Sequence, residues 1–279
     1  MDARLALTHA MVQVACERWH VDALHLKGAA LDESVAWPGR SGTDVDLLVR
    51  PAHLARFVEG LRHLGWVQRE RFHTGSSFEH AAGFYHPGWA PLDVHRHFPG
   101  LGRSADEGFD VLWPERTERT IAGIPCAVPS LEAQALVVLV HAARSGGGSR
   151  AALDVQAAYW SADQARQKAI EALAERLDAQ LPLDIALQRD LDSHRGRSDF
   201  ALWRVAAEGG TRLDEWRARA AAAPTRIGAA RVLARSLLVN RDSLSIRLGR
   251  PISRVEVVRE FIARLIRAIM QEWRRVRLR

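Results

Sequence analysis

Asp44 and Asp46 stand in the stretch Thr43-Asp44-Val45-Asp46-Leu47-Leu48-Val49, which otherwise has the composition of a buried strand. At a strand period of two the acids share a side, with Cα atoms roughly 7 Å apart. Two carboxylates so placed repel one another, and burying them without a partner is costly. A divalent cation removes both difficulties, and oxygen-only ligation suits Mg²⁺. A surface strand with its acids in water fits the same pattern, so the spacing alone leaves both readings open.

Two further stretches bear on the choice. Upstream, His25-Leu26-Lys27-Gly28-Ala29-Ala30 is an apolar run that turns through a glycine into an expected short helix over 29–36. Downstream, Pro91-Leu92-Asp93-Val94-His95-Arg96-His97-Phe98 alternates as a second strand, with Asp93, His95 and His97 on its polar face. A glycine turn into a helix, then Asp-x-Asp on a strand, then a lone Asp on a later strand resembles the DNA polymerase β-like nucleotidyltransferase superfamily. The wording "LKGAAL", "RSGTDVDLLV" and "LDVHRHF", with the later "HAARSGGGSRAALDV", resembles more narrowly a bacterial family of uncharacterised nucleotidyltransferases. The resemblance covers about residues 20–160.

That resemblance implies an α+β fold: a nucleotidyltransferase-type mixed sheet flanked by helices over 1–128, then an all-helical half over 129–279. It implies transfer of an NMP from an NTP to a hydroxyl on a small molecule, peptide or protein, with release of pyrophosphate. It assigns Mg²⁺ or Mn²⁺ to Asp44, Asp46 and Asp93, of which Asp93 could also accept the acceptor's proton. It places the triphosphate at Gly28, whose backbone N–H groups and following helix N-terminus favour an anion. Ala29 stands where the wider superfamily carries Gly or Ser, so Lys27, Arg40, Ser41 and Thr43 are the remaining candidate phosphate contacts. His95 either orients a ligand or is an ordinary hydrogen-bonded histidine, and Arg96 replaces the aromatic residue frequent there in the narrow family. His141, Arg150 and Asp154 are expected to bridge the halves by hydrogen bonds and salt links. The halves are expected to meet near 129–150, with the site opening into the cleft between them.

The chain has 279 residues, long enough for one large or two modest cores. Apolar and charged fractions are those of a globular protein, no apolar run reaches a membrane span, and Met1-Asp2-Ala3-Arg4 lacks the pattern of a signal peptide. Cys16 and Cys126 make neither a disulfide framework nor a zinc site, and a cytoplasmic setting follows as the expectation. The only lysines are Lys27 and Lys168. Residues 254–279 carry eight arginines against Glu256, Glu260 and Glu272, a net +5 of the chain's +6.

The elements that must position these residues follow from periodicity and punctuation. Residues 3–19 have helical spacing. Pro51 suits the first position of a helix that stops at Gly65. Strands are expected over 66–71 and 78–86, and a small hairpin over 116–121 and 124–128. Ser130 caps a helix to about Arg144, and Ser145-Gly146-Gly147-Gly148-Ser149 breaks the chain. Every later readable segment is helical. Ser161 to Gln164 fits a capping box, and Pro182, Gly209-Gly210, Pro224 and Gly249-Arg250-Pro251 mark boundaries. From Val255 a stripe through Val258, Ile262, Leu265, Ile269, Trp273 and Val276 predicts a closing helix packed on the helical half, with Arg259, Arg264, Arg267, Arg274 and Arg275 in solvent.

Three other functions share these features. A kinase-like enzyme would use the same fold but yield a nucleoside diphosphate. A non-catalytic nucleotide-binding or regulatory module would keep only the binding, against which the intact acid triad argues. Nucleic-acid binding would use the basic C-terminus, but the scattered tryptophans form no stacking platform.

Overall fold

The computed structural model describes residues 2–72, 78–223, 225–237, 239, 244, 245, 248, 250 and 252–277. The chain opens with α1 (Ala3–Arg18), capped by Asp2, whose side chain accepts from the Arg4 N–H. Five strands follow: β1 (Ala23–His25), β2 (Val45–Val49), β3 (Val67–Gln68), β4 (Ala81–Tyr85) and β5 (Leu92–His95). They form one sheet in the order β1-β2-β5-β4-β3. β2 and β5 run parallel and the other neighbours antiparallel. Between β2 and β3 lies α2 (Leu54–His63), entered through a 3₁₀ turn at Pro51–His53. A two-stranded hairpin, β6 (Thr117–Ile121) and β7 (Ile124–Val128), stands apart from the main sheet.

Every residue of β2 is buried, because both faces of the sheet are covered. One face sends Val45, Leu47, Val49, Leu92 and Val94 into a core with Val12, Cys16, Phe57 and Leu61 of α1 and α2. The opposite face sends Leu24, Leu26 and Leu48 into a larger core with α4 (Leu131–Ala143), on which Leu136 and Leu139 are fully buried. Burying one such leucine is worth about 1.5–3 kcal/mol. From α4 onward the described elements are helical: α5 (Ser149–Val155) running into a π-turn at Gln156–Trp160, α6 (Gln164–Arg176), α7 (Gln180–Ala186), α8 (Phe200–Glu208), α9 (Arg212–Ala221), α10 (Arg226–Leu237) and α11 (Arg254–Arg277). The larger core crosses the change from mixed to helical elements, since it joins Leu24 and Leu48 to Leu173, Leu181 and Trp203.

The local expectations fail where side chains compete with regular backbone. The expected helix over 29–36 is a three-residue 3₁₀ turn, Gly28–Ala30, closed by an extended Leu31. Asp32 ends it by accepting from both the backbone N–H and the hydroxyl of Ser34, a local alternative to helical bonding. The strands are shorter than expected: Arg69 and Glu70 both donate to the Gly83 carbonyl, a bulge that ends β3. A helix absent from the expectation, α3 (Ala105–Leu112), is capped by Ser104, which accepts from the Glu107 N–H. The cap of α6 is Asp163 rather than Ser161, which terminates the π-turn instead.

The C-terminal helix forms, but its apolar stripe is not covered over its described part: Val255, Val258 and Ile262 are 67%, 56% and 49% exposed. Glu260 lies on the better-buried face, paired with Arg264 and Arg267 at 3.4 and 3.0 Å. The side chains of Leu265, Ile269, Trp273, Val276, Arg274 and Arg275, and the boundaries at Pro224, Gly249 and Pro251, lie outside the described residues.

Gly100 joins the two kinds of structure. Its φ is +80°, and an added Cβ would stand 2.7 Å from the ring of the fully buried Trp203 on α8. The left-handed backbone and the overpacked ring together should make Gly100→Ala less stable by about 2–4 kcal/mol. Urea denaturation followed by circular dichroism measures this, and an unchanged midpoint would show that the β5 loop does not hold α8 in place.

Candidate active site

The parallel register of β2 and β5 sets Asp46 directly beside Asp93. Asp44 precedes β2 by one residue, on the same side as Asp46. One carboxylate oxygen from each of Asp44, Asp46 and Asp93 lies within 4.8 Å of the other two, so the three could hold a metal ion. Among the described residues no other group of three or more potential ligands meets that criterion. The acids use the sheet face that also carries Leu24 and Leu48, the face covered by α4.

The three carboxyls differ sharply in environment. Asp46 is 5% exposed. Burial alone would raise its pKa, but the Lys27 ammonium at 2.9 Å and a hydrogen bond from His95 Nε2 at 2.8 Å hold it well below the usual range. An ionised Asp46 only accepts, so His95 carries its proton on Nε2; its Nδ1 is buried without a hydrogen-bond partner. Burial lowers the His95 pKa, against that hydrogen bond to Asp46. At Asp93 Lys27 offsets the rise only in part: burial first, then the charges of Asp46 and Asp44, push it up to about 7. Asp44 is raised for the same reasons. The cluster therefore holds more negative charge than Lys27 neutralises, which is the electrostatic condition a divalent cation relieves.

Gly28 turns the chain away from β1 with φ +62°, and its backbone packs on Gly42, whose added Cβ would stand 3.2 Å from Gly28 Cα. The two glycines bring the loop after β1 against the loop entering β2. Lys27 is on the first and reaches Asp46. Ser41 and Thr43 are on the second and exposed, with Thr43 Oγ1 3.4 Å from Asp44. Since no α-helix follows Gly28, the helix N-terminus expected to favour an anion there is absent, and only the backbone N–H groups of the turn remain. Arg40 points elsewhere: its Nε is 2.7 Å from Asp154 on α5, which also accepts from the Trp37 indole at 2.9 Å. Arg40 and Asp154 thus form a buried link between the β2 loop and the helices. His141, near the end of α4, is half-buried with an orphaned Nδ1, and burial lowers its pKa to about 3. Arg150 is exposed in the first turn of α5.

Two residues beside this site were not among those singled out from sequence. Arg144 closes α4 and donates to His80 Nε2 at 3.0 Å, and the His80 ring lies 5.1 Å from that of His95. The available signal was the i, i+3 spacing of His141 and Arg144, which puts both on one helix face.

Asp93 supplies a test with a definite sign. Its folded pKa of about 7 lies above its unfolded value near 3.9, so folding takes up a proton in that window. Its ionisation costs nothing below about pH 4 and progressively destabilises the metal-free fold up to about pH 7, by at most roughly 4 kcal/mol. Asp93→Asn should therefore melt higher than wild type at pH 8 in EDTA and equally at pH 4. Added Mg²⁺ should raise the wild type more than the variant. Parallel melting curves at all pH values would refute this view of the site.

Among solved structures, several are similar to this chain at low sequence identity. The antibiotic-resistance factor ANT(2'')-Ia matches with 16% identity and a TM-score of 0.45, over 62% of this chain and 91% of that one. An antigenic nucleotidyltransferase-like protein from Paracoccidioides brasiliensis matches with 15% identity and a TM-score of 0.40, over 66% and 94%. Terminal uridylyl transferase 4 from Trypanosoma brucei, solved with bound GTP, matches with 16% identity and a TM-score of 0.25, over 50% of each chain. No curated protein matches the chain. The sequence profile of the family described as uncharacterised nucleotidyltransferase matches residues 3–189, from α1 through all three acids to the end of α7, and the chain belongs to that family of transferases of phosphorus-containing groups.

Proposed function

We propose that the protein transfers an NMP from an NTP to a hydroxyl-bearing acceptor, releases pyrophosphate, and depends on Mg²⁺ or Mn²⁺ held by Asp44, Asp46 and Asp93. The observation that carries this is the convergence of the three carboxylates, two of them held above their ordinary pKa, in a chain of this family. A divalent cation bound there would neutralise the acids and the charge that builds on the phosphate oxygens.

The protein's own residues have distinct tasks in this reading. Asp46 stays ionised because Lys27 and His95 hold it so. Lys27 stands between that carboxylate and the Gly28 turn, where its ammonium can pass to a phosphate oxygen. The Gly28 turn, with Ser41 and Thr43, forms the cradle for the triphosphate, and its bare backbone lets the anion approach. Asp93, with a pKa near neutrality in the metal-free protein, is the group to accept the acceptor's proton. Arg40 contributes by fixing the β2 loop through Asp154 rather than by reaching the nucleotide. Residues 1–128 supply the catalytic unit and 129–279 the helical unit, with the site between them.

The test is incubation with Mg²⁺, each of the four NTPs in turn, α- or γ-labelled, and a cellular metabolite and protein extract. The expected result is transfer of the α-label with stoichiometric pyrophosphate, abolished by EDTA. Asp44→Asn and Asp46→Asn should each lower the rate by at least about 10²-fold, the usual scale for removing preorganised charge. Transfer of the γ-label with a nucleoside diphosphate would instead establish the kinase-like reading. Full activity in both variants would remove the acids from the mechanism.

A further inference from the structure

On the helical side of the acids lies a cavity of about 340 Å³, lined among others by Phe78, His80, His141, Arg144 and Leu202. It is separated from Asp46 by one layer of histidine: Asp46 accepts from His95, His95 lies against His80, and His80 Nε2 accepts from Arg144. Arg144 is the notable member. Its guanidinium lies over the Phe98 ring at 5.1 Å and meets His80, yet among the described residues it has no carboxylate partner. The two histidines on the wall do not supply one and add no charge: accepting from Arg144 leaves His80 neutral, and burial keeps His141 neutral too. The acid on the wall, Glu215, is committed to Arg219 at 3.7 Å, which also pairs with Glu79. The Arg144 guanidinium thus borders an open space with no carboxylate in contact, Asp46 acting on it only through space, and guanidinium is the side chain suited to planar, bidentate capture of carboxylate or phosphate.

We infer that Arg144 is the anchor of an anion subsite in this cavity, and that the acceptor of the transferred nucleotide carries a carboxylate or phosphate that docks there. This rests on the nucleotidyltransferase reading. The placement favours the acceptor over the triphosphate. Lys27 and the Gly28 turn follow β1, whereas Arg144 packs on His80 and Phe98 beside β4 and β5, with the acids of β2 and β5 between. The two reactants would thus approach the acids from opposite sides, the acceptor held by its anionic group in the helical cavity.

The test is thermal unfolding of the full chain in EDTA, in sodium phosphate against sodium chloride at matched ionic strength, for wild type, Arg144→Gln and Arg144→Lys. Phosphate raises Tm slightly by exclusion from any protein surface, so the readout is the saturable part. Wild type should show a saturable rise, Arg144→Lys a rise with its midpoint several-fold higher in phosphate, and Arg144→Gln only the unsaturable background. In chloride, the Arg144→Gln midpoint sets the baseline for its own phosphate series. Equal saturable rises in wild type and Arg144→Gln would overturn the subsite, as would no saturable rise in wild type. Should Arg144→Gln fail to fold, an unchanged midpoint in Arg144→Lys overturns it equally. Repeating the series with Mg²⁺ and a saturating non-hydrolysable analogue of each of the four NTPs in turn identifies the source of the anion. A phosphate rise that persists assigns the subsite to the acceptor; one that the nucleotide abolishes gives it to the triphosphate and overturns the acceptor assignment. A protein that binds no nucleotide yet keeps the Arg144-dependent rise refutes nucleotidyl transfer and leaves the subsite standing.

Discussion

The parallel pairing of β2 with β5 is the constraint from which the rest of the site follows. Within a sheet whose other pairings are antiparallel, it places Asp46 beside Asp93 in register and turns both toward α4. Parallel neighbours need a long connection, and here the chain between them supplies α2, β3 and β4 before it returns. The consequence is electrostatic. Two carboxylates on adjacent strands, with a third at the strand entrance, are brought together where little water reaches Asp46. Hydrophobic burial on both faces of β2 and β5 sustains that repulsion, since slipping the register by one residue would turn Val45 and Leu47 out of the core.

How the protein manages that charge without a cation is visible in the division of labour among the acids. Asp46 is given both an ammonium and an imidazole N–H and stays ionised, while Asp93 and Asp44 are left to rise. A site built only for stability would pair all three or replace them with apolar residues. One lysine beside three acids leaves a deficit, and that deficit makes the cluster receptive to a cation.

Much of this was legible in the chain, and the parts that were not have physical causes. The β2 and β5 strands announce themselves because apolar residues alternate with acids over a strand-length run, α1 because its apolar residues recur at helical spacing, and α4 because its apolar run begins at a Ser cap. That Asp44, Asp46 and Asp93 converge was carried by the family resemblance, since spacing puts only Asp44 and Asp46 on one face. The turn after Gly28 reads as a helix in the sequence because Ala29-Ala30-Leu31 favours one intrinsically, while the Asp32–Ser34 bonds that stop it depend on side chains further on. The role of Arg40 was illegible because its partner Asp154 lies more than a hundred residues away. The stripe of α11 predicted a covered face; periodicity specifies which residues share a side of a helix, not whether anything stands opposite.

The long-range polar links have a common direction. Arg40 and Trp37 reach Asp154 on α5, the Asp32 backbone N–H reaches Gln134 on α4, and His80 reaches Arg144 at the end of α4. Each ties a loop around the acids to α4 or α5, and between them Leu24 and Leu48 pack on the same helices. The helices therefore do more than cover the sheet: they fix the two loops that frame the carboxylates and supply the wall opposite them. A loop such as 36–44, with no regular structure of its own, is held by the Arg40–Asp154 pair and the Trp37–Asp154 bond, and rupture of the pair would leave a charge without its partner. The geometry around the three acids thus depends on helices far away in sequence, and the helical segment helps build the candidate site even though all three acids lie before it.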